Sequence, residues 1–204
     1  MRGKVLATTL LLLAAGTLRA QQSPQIGVEG GDPPDDRASA RLLYWNSTAK
    51  AAAGQVAVNY GRPVWKKEYE DPGKFDAMTK GKVWRMGSNF WSNLYTDIPI
   101  NIAGKSISPG TYFLGLQRSA DGSAWKLAFI DPIKVRKARI DAFDIHKATV
   151  EFTAPMTTDS ALPDAVEKLT ITLTHPESDM RDVTLKVAWG HLALSAPVKV
   201  TVGE

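Results

Sequence analysis

Hydrophobic and polar residues alternate along most of this 204-residue chain. Residues 55–60 alternate and stop at Gly61, and Leu169, Ile171 and Leu173 alternate with threonines. A period of two residues places apolar side chains on one face of a β-strand, and no stretch sustains the 3.6-residue period of an amphipathic helix. From residue 40 onward, the pattern therefore predicts a series of half-buried strands.

The same alternation predicts further strands at residues 93–102 (with a break at Pro99), 105–108, 112–116, 125–129, 149–153, 183–187, 192–194 and 198–202. In the run at 112–116, Tyr112, Leu114 and Leu116 share one face and Phe113 takes the other. The Asp-Gly pair at 121–122 is typical of a tight hairpin. Helix is expected only at 74–79 and 163–166. Many short strands with turns between them predict an all-β fold, an antiparallel β-sandwich with little helix, over residues 40–204.

The first twenty residues have the pattern of an export signal. Arg2 and Lys4 precede an apolar run at 5–15, which is shorter than the ~20 residues a membrane span needs. Small residues follow, and cleavage after Ala20 would suit a signal peptidase. Residues 21–39 are rich in proline, glycine and aspartate and are expected to form a disordered tether. We therefore expect a periplasmic or secreted protein without a transmembrane segment once the signal is removed.

Charge and cysteine content narrow the functional classes. The chain has 25 basic and 21 acidic residues. Loss of Arg2, Lys4 and Arg19 with the signal would leave 22 basic residues and a net charge of +1. This balance argues against nucleic acid as a partner, because nucleic-acid binding needs a concentrated basic surface. There is no cysteine, so neither disulfides nor thiolate metal ligands are available.

Residues 60–112 carry an unusual concentration of aromatic, arginine and glycine residues. Arg62 precedes Pro63 and is therefore biased to extended backbone, from which its guanidinium can reach across a corner. Trp84 and Arg85 are adjacent, so in a strand they point to opposite faces, and one of them can face a cleft. Asn89 follows a turn glycine. Regular strand patterning does not require this combination.

In order, these motifs are Tyr60-Gly61-Arg62-Pro63, Val83-Trp84-Arg85-Met86-Gly87-Ser88-Asn89, Gly104-Lys105, and Pro109-Gly110-Thr111-Tyr112 followed by Trp125. They resemble the exported bacterial family known as domain of unknown function 2911, whose pattern has one more residue between the counterparts of Pro109 and Gly110. The resemblance is strongest over about residues 54–131. It implies a β-rich exported domain and no established activity.

The motifs suggest a non-catalytic binding or envelope-interaction module. The candidate ligand-binding residues are Tyr60, Arg62, Trp84, Arg85, Asn89 and Trp91, and the expected partner is a small ligand, a glycan or an envelope protein. Two alternatives stay open: a hydrolase with a dispersed site, and a purely structural module. The structural alternative predicts that Arg62 and Arg85 are buried and satisfied by backbone carbonyls.

The sequence gives little indication of a metal site or a catalytic site. His146, His175 and His191 lack the spacing of a metal or catalytic site, so neither metal, cofactor nor catalytic residues are predicted. The basic cluster at 134–139 is expected on a solvated strand face. Among the tryptophans, Trp125 and Trp189 are expected in the core. Trp65 and Trp91 are expected to be more accessible to a ligand.

Overall fold

The computed structural model describes residues 36–160 and 162–203. The predicted signal and residues 21–35 of the predicted tether lie outside this range. The first strand begins at Arg37, so residues 37–39 belong to the sheet and not to a tether. They enter the sheet because Arg37, Ala38 and Ser39 pair directly with the end of the next strand.

The described residues form twelve strands. They are β1 (Arg37–Asn46), β2 (Ala51–Gly61), β3 (Val83–Arg85), β4 (Ser92–Thr96), β5 (Ile100–Ile102), β6 (Lys105–Ile107), β7 (Gly110–Arg118), β8 (Trp125–Ile130), β9 (Val150–Thr158), β10 (Val166–Thr174), β11 (Asp182–Gly190) and β12 (Leu192–Val200). Nearly every strand predicted from alternation is present. The two runs predicted around Pro197 are one strand, β12.

The strands form one continuous antiparallel sheet, with neighbours in the order β1-β2-β4-β7-β8-β9-β12-β11-β10. The short strand β3 pairs with β7, and β5 links β12 to β6. The prediction of an all-β antiparallel fold is confirmed. The two layers expected of a sandwich are not separate sheets, because β9 pairs with β8 over most of its length and with β12 at Thr157 and Thr158.

Helix is limited but differs in place from the prediction. The helices are α1 (Pro72–Thr79), α2 (Pro132–Ala138) and two 3₁₀ helices, Lys67–Glu70 and Ala142–Lys147. The first prediction is confirmed by α1, whereas the helix expected at 163–166 is wrong, since β10 begins at Val166. The basic cluster lies on α2 rather than on a strand. Asp131 accepts from the backbone N–H of Ile133, so the Asp-Pro pair that ends β8 also caps this helix.

The main core fills the space between the two halves of the sheet. Leu114, Leu116 and Phe129 from one half and Leu185 and Leu194 from the other are fully buried in a single cluster. Each such side chain contributes roughly 1.5–3 kcal/mol through burial. In a fold without disulfides, this core is the main source of stability.

A second, smaller cluster lies on the opposite face of β7 and β8. Phe113 and Ile130 project there, as the alternation of β7 predicts, and are covered by Val135 of α2 and Ile145 of the second 3₁₀ helix. Trp91 completes the cluster by stacking on Phe113 with ring centroids 4.8 Å apart. The helical segment between β8 and β9 is therefore a cover for an apolar sheet face.

Candidate functional site

Tyr60 is part of the core. Its side chain is 3% exposed, and its hydroxyl accepts from the N–H of Ile171 at 2.9 Å and donates to the carbonyl of the same residue at 3.3 Å. These two hydrogen bonds join β2 to β10 across the fold. Tyr60 thus connects the layers from inside, and its side chain is not presented to a ligand.

Arg62 reinforces the same connection. Its Nε donates to the carbonyl of Leu169 at 3.4 Å, and the Leu169 N–H donates to the carbonyl of Pro63 at 3.1 Å. Two residues further along, the backbone N–H of Trp65 donates to the backbone carbonyl of Glu167 at 2.6 Å. The extended backbone around Pro63 therefore pairs with β10. Arg62 has a backbone carbonyl as its partner, as the structural alternative predicted, but its side chain is partly exposed and not buried as that alternative expected.

The turn at 86–91 packs closely against the end of β2. A Cβ built on Gly61 would lie 2.1 Å from the carbonyl oxygen of Ser88, so only glycine fits at position 61. Gly87 has a φ of 148°, which glycine adopts most readily. Asn89 adopts a left-handed conformation with a φ of 65°, and its amide donates to the carboxylate of Asp36. Asn89 therefore holds the turn against the start of β1.

The tryptophans divide differently from the expectation. Trp125 and Trp189 are buried, as predicted. Trp91 is only 3% exposed, so the expectation that it is accessible is wrong; its ring is held between β7 and the covering helices. Trp65 is half-buried and packs edge-on against Trp189 at 5.0 Å.

Trp84 and Arg85 lie together on the wall of a large cavity that none of the other four candidates lines. The cavity, of about 740 Å³, lies along β3, which pairs only with β7 among the described strands. Its lining is Met78, Gly81, Lys82, Val83, Trp84, Arg85, Phe143, Ile145 and His146. The volume falls within the roughly 300–1,000 Å³ typical of small-molecule sites.

The two wall residues on β3 have different neighbours. Trp84 stacks on Trp189 with ring centroids 4.9 Å apart and planes 13° apart, which fixes its ring. Arg85 lies against the second 3₁₀ helix, with Cζ 3.9 Å from the ring centroid of Phe143. The aromatic wall is thus rigid, and the guanidinium is positioned by a cation–π contact.

The guanidinium of Arg85 lacks the acceptors that usually accompany burial. Nη1 is buried from solvent and makes no hydrogen bond to any described residue. Burial lowers the pKa of Arg85, and the negative charge of Asp141 opposes that shift. Among the described residues, Asp141 forms no ion pair with Arg85, and its Oδ1 caps the 3₁₀ helix by accepting from the N–H of Phe143 at 2.8 Å. No side-chain nitrogen of Arg85 hydrogen-bonds to a described residue, and Nε and Nη2, which are not buried from solvent, are the donors that can face the cavity.

The sequence patterns gave no indication that Phe143, Ile145 and His146 belong to the site. They lie about sixty positions after Arg85 and reach it only because the 3₁₀ helix covers the sheet face beside β3. Phe143 is 75% exposed, so its ring is open to a ligand in the cavity. The sequence feature that could have indicated this helix is Asp141, an N-cap residue that precedes Ala142 and Phe143.

The histidines offer little for catalysis. Nδ1 of His175 and of His191 each lies 3.0 Å from a backbone carbonyl oxygen, and no histidine in residues 36–160 and 162–203 hydrogen-bonds a serine or a carboxylate. The same residues contain no cluster of three or more histidine, aspartate or glutamate side chains arranged to hold a metal ion. Within that range, too, no helix has the length and apolarity required to cross a bilayer.

Comparison with known proteins supports the resemblance seen in the motifs. Residues 45–198 match the family described as "Protein of unknown function (DUF2911)". Searches of curated proteins and of solved structures gave no significant match. The family match extends over β2 to β12, well beyond residues 54–131 where the motifs are concentrated. The chain therefore belongs to the DUF2911 family.

Proposed function

We propose that this protein is a non-catalytic binding module of the cell envelope, and that it holds a small anionic ligand in the cavity beside Arg85. The observation that supports the proposal is the guanidinium of Arg85 on the cavity wall, none of whose side-chain nitrogens has an acceptor among the described residues. A guanidinium without acceptors in a partly buried position costs about 1–3 kcal/mol in the unliganded protein. A bound carboxylate or phosphate would accept from Nε and Nη2, the two donors that solvent can reach.

The charge of the cavity favours an anion. Lys82 and His146 line it together with Arg85, and none of its described lining residues is acidic. Lys82 donates to the carbonyl of Ala77 at 2.5 Å, so its ammonium group is held at the rim. The ring of Phe143 lies against Cζ, while the N–H donors of a guanidinium radiate in its own plane, where a carboxylate can accept two of them.

The remainder of the lining is apolar and aromatic. Trp84, Phe143 and Ile145 offer flat or branched apolar surfaces next to the cationic group. This combination suits a ligand with an apolar body and one acidic group, such as an aromatic carboxylate. Export of the protein is proposed from the charged and apolar pattern of residues 1–20.

Ligand-observed fluorine NMR can test the site with a matched pair of probes, 4-fluorobenzoate and 4-fluorobenzamide. We expect the acid to bind more tightly than the amide, and Arg85→Met to abolish that preference while leaving the fold intact. Arg62→Met is the control, since Arg62 bonds to Leu169 away from the cavity. Equal binding of acid and amide, or an unchanged preference in Arg85→Met, would contradict the proposal.

A further inference from the structure

Trp45 is the one exposed tryptophan of the six in the chain, all of which lie in the described range. It is 60% exposed on β1, lies before the first of the motifs that resemble the family, and was not singled out by the sequence pattern. Met180, in the turn between β10 and β11, is also exposed. A solvent-exposed indole presents a large flat apolar face on which a ligand can stack.

A β-bulge brings Trp45 to a cavity. Tyr44 pairs with Gly54 and Trp45 pairs with Ala52, so Ala53 of β2 is an extra residue. Neighbours in a regular strand point to opposite faces, but a bulge changes the direction of a side chain. Tyr44, Trp45 and Ala53 consequently line the same cavity of about 400 Å³.

The opposite wall of this cavity is a turn held in place by hydrogen bonds. Residues 177–181 line the cavity from the connection between β10 and β11. The hydroxyl of Tyr44 donates to the carbonyl of Met180 at 2.9 Å, and the Val200 N–H donates to the carbonyl of Arg181 at 3.0 Å. The wall is therefore ordered before any ligand binds, which lowers the entropy cost of binding.

Planar polar groups surround the indole. Asp179 accepts from the N–H and Nε of Arg181 through Oδ1, and these hydrogen bonds, the backbone one first, lower its pKa and keep the carboxylate ionised. Neither Oδ2 of Asp179 nor the terminal nitrogens of Arg181 hydrogen-bond to another described residue. The Oδ1 of Asn46 accepts from the backbone N–H groups of Thr48 and Ala49, which leaves the NH₂ group of Asn46 as a donor.

We infer that this cavity is a carbohydrate-binding site for a unit of a neutral oligosaccharide. One face of a pyranose ring consists of C–H groups and packs well on the electron-rich face of an indole. The hydroxyls at the ring edge need paired donors and acceptors, which Asp179, Arg181 and Asn46 supply. The acidic Glu177 and Asp179 oppose Arg181, so the cavity does not favour an anion, in contrast to the cavity beside Arg85.

A microarray of immobilised neutral oligosaccharides (glucans, mannans, galactans and N-acetylglucosamine oligomers) tests the inference with the full chain. We expect retention on at least one class and competition by the same oligosaccharide free in solution. Trp45→Ala should weaken binding about tenfold or more, because the stacking surface is lost. Asp179→Asn should also weaken it.

Two matched control variants distinguish loss of this site from a general loss of exposed apolar surface and from changes at the cavity beside Arg85. Leu43→Ala removes another exposed apolar side chain of β1 that does not line the cavity, and Arg85→Met alters only the cavity of the proposed function. Both should bind oligosaccharides like the wild-type protein. The inference is overturned if no oligosaccharide is retained, if Trp45→Ala binds normally, or if Leu43→Ala loses binding equally. Circular dichroism confirms that each variant is folded.

Discussion

The stability of Arg85→Met distinguishes a binding arginine from a structural one. The substitution removes the buried, unpartnered Nη1, whose desolvation costs about 1–3 kcal/mol. It also removes the cation–π contact with Phe143, worth about 0.5–1 kcal/mol. The methionine stem replaces most of the apolar contacts. We therefore expect the free energy of unfolding to stay within about 1 kcal/mol of the wild-type value, or to rise.

Arg62→Met is the matched comparison, because it makes the same chemical change at an arginine that has a partner. Arg62 Nε donates to the carbonyl of Leu169, and hydrogen bonds of charged donors contribute about 1.5–3 kcal/mol. The 3.4 Å distance is long, so we expect a loss of about 1 kcal/mol. The loss arises because the Leu169 carbonyl is left without this donor.

Equilibrium unfolding in urea, followed by tryptophan fluorescence, measures both variants. With a slope near 2 kcal/mol/M, a loss of about 1 kcal/mol lowers the midpoint by roughly 0.5 M. The reasoning is refuted if Arg85→Met loses more than about 2 kcal/mol while Arg62→Met is unaffected. That outcome would assign Arg85 to the scaffold and remove the main support for the anion site.

Two other predictions concern the fold. Tyr60→Phe should lower the free energy of unfolding by about 2 kcal/mol, because two buried hydrogen bonds are lost. Tyr112→Phe is the control, because the Tyr112 hydroxyl is exposed, and it should change the free energy of unfolding by less than about 0.5 kcal/mol. Similar urea midpoints for the two variants would contradict this prediction. The hydroxyl of Ser119, followed by the N–H and hydroxyl of Ser123, lowers the pKa of Asp121 from 3.8 to about 2. Its stabilising effect is complete above pH 3.8 and is lost as the pH falls toward about 2. Asp121→Asn should therefore flatten the acid dependence of the urea midpoint over that interval, and an unchanged profile would show that the carboxylate does not contribute.

Alternation predicted most of the sheet because one face of each strand is buried. In β7, Leu114 and Leu116 enter the main core and Phe113 enters the second cluster, as their parity requires. Strand β10 is also buried on one face, and its alternation of apolar residues and threonines predicted it in the same way. Period-two patterns are therefore reliable where burial on the two faces differs.

Elements without that contrast were missed. Strand β1 begins with small and charged residues that resemble the preceding polar segment, and its apolar residues at 42–45 are consecutive and do not alternate. It forms because β2 offers a partner along its length, which is tertiary information. Helix α2 was missed since Asp131-Pro132 ends a strand and begins a helix with the same two residues.

The site was predicted only in part, for a related reason. Sequence motifs named Trp84 and Arg85, but the opposite wall comes from a helix whose distance in sequence gives no hint of contact. Trp84 and Arg85 were expected to point to opposite faces of β3, with one of them at a cleft, whereas both line the same cavity. Which of them would lack a partner depends on Phe143 and Asp141, and only the fold shows how those two residues are placed.

The family motif therefore combines two kinds of residue. Tyr60, Arg62 and Asn89 hold β2, β10 and the start of β1 together, so their presence identifies an architecture and carries no information about a ligand. Arg85 has the opposite properties. Burial of its guanidinium costs folding free energy, and the side chain makes no hydrogen bond to a described residue that would offset this cost. A residue that destabilises the unliganded protein is better explained by binding than by scaffolding. The 3₁₀ helix lies outside the motif but within the family match and supplies Phe143, Ile145 and His146, so we expect these residues, together with Trp84 and Arg85, to determine which ligand the proposed site accepts.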